Sequence, residues 1–382
     1  MSEFDDIRPY NDSEVRPVID RILDNPELIR AVTKLKFPRL GQLAPWLLHP
    51  LVKYVLKGQL ASVASVGDLQ RLVANYMRAM VNRRVSSLTA TGIEKLEPGK
   101  AYVFVSNHRD IAMDPAFVNL VLHDQGFDTV RIAIGDNLLT KDYVSDLMRL
   151  NKSFIVKRSA TSPREKLKAA KHLSAFIYHS ITAENSHIWI AQREGRAKDG
   201  RDKTNTAIIS MLTLNRPKTE AFSDYIRELN IVPVAISYEW DPCDAAKTHE
   251  LHSHKTHGAY AKGEHEDIAS IAAGIAGEKG HVHVAFGDVL SGHYDDAEAV
   301  AAEVDRQVWS NYALHPSNLI AYRMQHGNMP DVAVGYPSQP AGRADMRKEE
   351  ALLQQRLATI PPDEQSIFLD MYANPVVSKL IN

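Results

Sequence analysis

One cysteine, Cys243, stands in 382 residues, so no internal disulfide can form and the fold cannot depend on oxidation. An excess of either charge is also missing. Forty-five Lys and Arg face forty-seven Asp and Glu, a formal net charge of −2, which argues against a dedicated nucleic-acid binder with a strongly basic surface. Long apolar runs are absent too. The longest uncharged stretches, Leu40–Val52 and Gln307–Tyr322, contain polar groups and fall short of the roughly 20 apolar residues of a spanning helix, so no membrane crossing is expected. The opening MSEFDDIRPYNDSEV lacks the basic start and apolar stretch of a secretory signal, and no export is expected. Neither an internal repeat nor a low-complexity tract is visible. What is present is 44% apolar and 24% charged residues, enough for a full core and incompatible with a disordered or fibrous chain. The length allows about two to three domains, or one large domain with an appendage.

Helical spacing runs from about residue 12 to 82, opening with an Asn-Asp-Ser cap before Glu14 and including a second apolar stretch at Leu43–Leu60. Gly92 and the Pro98-Gly99 pair then change the texture. Short β-branched or aromatic runs follow at 101–106, 129–135, 153–158, 187–192, 231–238 and 282–287, with helix-length intervals such as Pro115–His123, Pro163–Ile181 and Thr204–Leu214. This alternation predicts an α/β fold, a mostly parallel central sheet with helices on both faces, plus N-terminal and C-terminal helical extensions. The expected division is a helical region at 1–90, an α/β domain at 91–290 and a helical extension at 291–382, the last interrupted by the Pro-containing Tyr336–Gly342. No functional signal is legible in the C-terminal helices.

Three segments carry chemistry. In FVSNHRDIAMDP a buried strand runs into Asn107, His108 and Arg109, and strand ends are where α/β sheets present ligand-binding groups. His108 with Asp114 one loop later suits a general base oriented by a carboxylate; the competing reading is a helix-capping Asp114 and a loop His108 bonded to backbone. In QREGRAKDGRDKT at 192–204, five cations surround Glu194 and two glycines, as guanidinium binding of a phosphate requires, though a solvated turn has the same look. Between Arg149 and Lys171, eight cations stand against Glu165 alone, a net +7, and Lys157 and Arg158 finish a strand. With parallel strands the three segments fall at one sheet edge, where a hydroxyl could be activated beside a phosphate.

These residues resemble the phospholipid/glycerol acyltransferases. The corresponding blocks are Asn107-His108-Arg109-Asp110-Ile111-Ala112-Met113-Asp114, then Phe154-Ile155-Val156-Lys157-Arg158, then Arg193-Glu194-Gly195-Arg196, then Ile231-Val232-Pro233-Val234, in order over about residues 90–290. Two departures stand out. Five residues instead of four separate His108 from Asp114, leaving Asp114 and Asp110 as alternative partners, with Asp114 favoured. The third block lacks the Phe-Pro before Glu and the Thr after Gly, and its Gly200-Arg201 is closer to bacterial glycerol-3-phosphate acyltransferases.

The resemblance implies acyl transfer from acyl-CoA or acyl carrier protein to the hydroxyl of 1-acyl-glycerol-3-phosphate, or to glycerol-3-phosphate or another lyso-lipid. His108 and Asp114 would be catalytic, with Asn107, Arg109, Lys157, Arg158, Arg193, Glu194, Gly195 and Arg196 binding substrate. Neither a metal nor a cofactor is required. Such an enzyme is expected to be cytoplasmic and peripheral on the inner face of the cell membrane. Trp46, Leu47, Leu48, Leu51, Tyr54 and Val55, at near-helical spacing beside Lys53 and Lys57, suit an interfacial helix, and equally a helix packed on the α/β domain. A His-rich metal-dependent hydrolase is the alternative of another class, from His281 and His283 and from His252, His254 and His257 in a loop-like segment. A catalytically inert lipid-binding or scaffold protein is the third.

Overall fold

The computed structural model describes residues 3–37, 44–263, 266–332 and 346–381; Tyr336–Gly342 and the start of the Leu40–Val52 run lie outside them. Among the described residues four helices come first: α1 (Asp12–Asp24), α2 (Pro26–Lys36), α3 (Pro45–Gln59) and α4 (Val66–Arg84). Strands and helices then alternate through β1 (Ser87–Thr91), β2 (Val103–Ser106), α5 (Met113–Asp124), β3 (Arg131–Gly135), α6 (Asp142–Leu150), β4 (Ser153–Val156), α7 (Pro163–Thr182) and β5 (Ile188–Ala191). Next are α8 (Thr206–Leu212), α9 (Phe222–Glu228), β6 (Ile231–Tyr238), α10 (Asp244–His257), α11 (Glu266–Ala276) and β7 (His281–Phe286). α12 (Ala297–Asn311), α13 (Pro316–His326), α14 (Met346–Leu357) and α15 (Gln365–Leu380) complete the series.

By internal contacts the chain divides into two compact units, Met1–Tyr76 with Arg131–Phe176, and Met77–Val130 with Ile177–Asn382. In the first, Asn11 precedes α1 and its backbone N–H donates to Glu14 Oε2 at 2.7 Å, one arm of the capping box expected there. The apolar stripe Val15, Val18, Ile19 and Ile22 is buried against Leu28, Val63 and Leu150 of α6. Asp146 of α6 accepts hydrogen bonds from Arg21 Nε at 2.8 Å and Tyr10 Oη at 2.6 Å, which pins the two helices. β3 and β4 pair in parallel.

In the second unit five strands lie in the order β1-β7-β6-β2-β5. β2 runs parallel to both β5 and β6, β1 is parallel to β7, and only the β6–β7 pair is antiparallel. The expected α/β class with a mostly parallel sheet is borne out. All eight residues of β6 are buried, which explains its unbroken apolar run Ile231–Ile236. β1 escaped the sequence reading because SLTAT is short and half polar. The C-terminal ends of β2, β5 and β6 share one edge of this sheet, and the chain leaves that edge into the two segments carrying His108 and Arg196. Behind it, Phe368, Met371, Tyr372 and Ala373 of α15 form a core with Trp240, Ile320, Leu353 and Ile360.

Two expectations need correction. The histidines at 252, 254 and 257 belong to α10, a helix closed by Gly258 in the left-handed region, rather than to a loop. Lys157 and Arg158 lie just beyond β4, which ends at Val156. Among the described residues no helix is long and apolar enough to cross a membrane.

Candidate active site

The loop after β2 is built around Asp114. His108 Nδ1 lies 2.9 Å from Asp114 Oδ2, and that oxygen also accepts the backbone N–H groups of Arg109 at 2.6 Å and Asp110 at 3.0 Å. Tyr238 Oη, from the end of β6, donates to the other oxygen at 2.6 Å. Because a carboxylate only accepts, the neutral His108 carries its proton on Nδ1 and leaves Nε2 as the basic nitrogen. The ring stands edge-on to Trp189, 5.8 Å between centroids, and its side chain keeps 14% exposure while Asp114 has none.

Asp114 is therefore not the helix cap. It lies within the first turn of α5, and Asp110 does the capping, its Oδ1 accepting the N–H groups of Ala112 and Met113, each at 2.9 Å. The fifth intervening residue is absorbed by this turn: with Asp110 occupied by the helix start, the loop doubles back and presents His108 to Asp114. Burial, and then the neighbouring Asp114 charge, push the Asp110 carboxyl above its ordinary range.

Asn107 and Arg109, expected to touch substrate, are buried and bonded within the protein. Asn107 Nδ2 donates to Asp202 Oδ2 at 3.1 Å and Ile236 O at 3.0 Å, while its Oδ1 accepts Ile236 N–H at 2.8 Å. Arg109 Nη2 donates to Asp202 Oδ2 at 2.6 Å and Gly200 O at 3.1 Å. Burial opposes the Arg109 charge, but the Asp202 carboxylate and its hydrogen bond outweigh it and raise the guanidinium above its ordinary range. These side chains hold the loop against β6 and the third block.

The third block returns to the same loop. Gln192 N–H donates to Ser106 O and Ala197 N–H to His108 O, both at 2.7 Å, so the turn between them is tied directly to the histidine's backbone. Gly195 sits at φ +73°, a conformation that favours glycine, and it and Glu194 are exposed while Arg193 is half-buried. Arg196 Nη2 donates to Ser270 Oγ at 3.3 Å, and its Nη1 is buried with no hydrogen-bond partner among the described residues. Lys157 and Arg158 belong to the first unit, where Lys157 pairs with Asp6 and the Arg158 N–H donates to Asp136 Oδ1 at 3.0 Å.

Three contributors escaped the sequence reading. Asp202 serves both Asn107 and Arg109, Lys247 Nζ donates to Arg109 O at 2.6 Å, and Tyr238 completes Asp114. Asp202 lies inside the charged segment at 192–204 and Tyr238 at the end of a strand run, whereas Lys247 had no signal. His281 and His283 lie on one face of β7 as a His-any-His pair must, and Thr89 Oγ1 is 2.7 Å from both His281 Nε2 and His283 Nδ1. Burial lowers both imidazoles to about 4. Among the described residues no group of three or more His, Cys, Asp and Glu is arranged to hold a metal ion.

Residues 87–237 match the family model for Acyltransferase. No curated protein gives a match. One similar solved structure is the 1-acyl-sn-glycerophosphate (LPA) acyltransferase PlsC from Thermotoga maritima, at 15% identity and a TM-score of 0.36, covering 67% of this chain and 84% of that one. The four blocks read from the sequence all fall inside the matched region, so residues 87–237 are an acyltransferase domain and the protein that carries it is an acyltransferase enzyme.

Proposed function

We propose that the enzyme moves a fatty acyl group from acyl-CoA or acyl carrier protein to the hydroxyl of 1-acyl-glycerol-3-phosphate, in phospholipid synthesis. The observation that carries the mechanism is the 2.9 Å bond from His108 Nδ1 to Asp114 at the end of β2. His108 Nε2 takes the proton of the acceptor hydroxyl as its oxygen attacks the thioester carbonyl. The imidazolium, stabilised by Asp114, then returns that proton to the departing thiolate as the carbonyl re-forms. No covalent acyl-enzyme is needed. Arg196, with a buried Nη1 left over, and Arg193 beside it supply charge-assisted donors for the acceptor phosphate.

The lipid acceptor calls for a membrane surface, and α3 suits one: Trp46 is 77% and Tyr54 78% exposed, with Leu47, Leu51 and Val55 also exposed. The enzyme then works as a peripheral protein, with Trp and Tyr at the headgroup level. The test is an acyl-transfer assay offering glycerol-3-phosphate and 1-acyl-glycerol-3-phosphate, each with acyl-CoA and with acyl carrier protein. Transfer to the lyso-lipid that disappears in His108→Ala supports the reading. Turnover retained by that variant overturns the general base, and transfer to glycerol-3-phosphate alone overturns the acceptor.

A further inference from the structure

Asp114 is shared. Its Oδ2 takes three donors, all from the loop that carries His108, while its Oδ1 takes a single donor from another element, the Tyr238 hydroxyl at 2.6 Å. Tyr238 is the last residue of β6, and β6 pairs in parallel with β2, so the phenol reaches the loop from the strand beside the one that launches it. Its ring is fixed edge-on against Phe117 of α5, 5.9 Å between centroids. The whole arrangement is buried: Tyr238 is 6% exposed and Asp114 not at all. Burial keeps bulk solvent from replacing a lost partner of Asp114, and among the described residues the Tyr238 hydroxyl is the donor that satisfies its second oxygen.

We propose that Tyr238 is a positioning residue of the acyl-transfer site, whose hydroxyl locks the Asp114 carboxylate so that Oδ2 stays aimed at His108 and which draws part of the carboxylate charge away from the imidazole. This rests on the reading of His108 as general base. Two consequences follow from the geometry. Without the hydroxyl the carboxylate is anchored through one oxygen only and can turn, so the base is misaimed in the transition state while substrate binding is untouched. The charge no longer drawn toward the phenol falls on His108, which then holds a proton more firmly. Burial, with the nearby Asp114 and Asp110 charges next, keeps the Tyr238 phenol protonated far above neutral pH, so it acts as a fixed donor and never as an acid itself.

The experiment compares Tyr238→Phe with the unaltered enzyme in kcat, KM, the pH dependence of kcat/KM, and the nitrogen NMR shifts of His108. A hydrogen bond to a charged group commonly carries about a tenfold to a hundredfold effect. The expected result is a loss of kcat in that range at unchanged KM, an acidic limb moved to higher pH, and a His108 titration moved the same way. In a His108→Ala background Tyr238→Phe should bring no further loss. If Tyr238→Phe does not fold, 3-fluorotyrosine in place of Tyr238 keeps the shape and strengthens the donor, and the His108 titration must then move to lower pH. An unchanged kcat with an unmoved limb, or a fluorinated enzyme with an unmoved His108 titration, overturns the proposal. Full activity of His108→Ala overturns the general-base reading instead, and the NMR titration, which needs no turnover, keeps the two failures apart.

Discussion

Gly200 lies directly beneath the carbonyl of Met371: a β-carbon at this glycine would stand 2.2 Å from the oxygen. Its φ of +78° is also one that other residues rarely adopt. The contact presses α15 onto the third block, and Asn374 Nδ2 adds a hydrogen bond to Asp199 O at 2.6 Å. The C-terminal helix, silent in the sequence, thereby holds the loop whose Gly200 O receives Arg109. Gly200→Ala should lose at least about 1–3 kcal/mol from backbone strain alone, with activity falling as Arg109 and its loop shift. Urea unfolding together with kcat tests this, and a variant with unchanged midpoint and turnover would show that α15 is not pressed there.

Asp110→Asn and Asp114→Asn should part company. An amide at 110 still offers an oxygen to the N–H groups of Ala112 and Met113, so stability and turnover should change by less than about threefold. At 114 an amide cannot accept from three donors on one side and Tyr238 on the other, and it disturbs the tautomer that keeps Nε2 basic. Turnover should fall at least about a hundredfold. Similar losses in both would refute the division of labour between the two carboxylates.

Trp46 and Tyr54 make few contacts within the protein, so removing them isolates docking from folding. Trp46→Ala with Tyr54→Ala should weaken co-sedimentation with anionic vesicles at least about tenfold while leaving the melting temperature unchanged. Unchanged sedimentation would remove α3 from the membrane surface.

Acid should destabilise the fold through β7. His281 and His283 are held near 4 by burial, against 6.5 when free, so between these values the unfolded chain binds protons that the folded chain refuses. Stability is then fully present above pH 6.5 and drains away as pH falls toward 4. Unfolding free energy measured from pH 7.5 to pH 4.5 should decline across this window, and His283→Asn should flatten the slope. A flat profile in the unaltered protein would contradict neutral burial of the pair.

Much of the fold was legible because β6 and its companions leave strong local marks. Val103–Val105, Ile188–Ile190 and Ile231–Ile236 are short β-branched and aromatic runs that suit a sheet covered on both faces, and helix-length intervals between them point to parallel pairing. β1 left no such mark. His108 and Asp114 were legible from their place after a strand. Their geometry was not, since choosing between Asp110 and Asp114 depends on which carboxylate the α5 N-terminus consumes, and that is settled by backbone directions over four residues.

The amino-acid sequence by itself determined the α/β class, the acyltransferase blocks and the candidate base, because periodicity and short-range spacing are written residue by residue. Tertiary structure alone decided that Asn107 and Arg109 face inward to Asp202, that Tyr238 completes Asp114, and that α15 bears on Gly200. Those contacts join residues from 93 to 171 positions apart, and at that range no local propensity says which buried donor meets which acceptor; packing does.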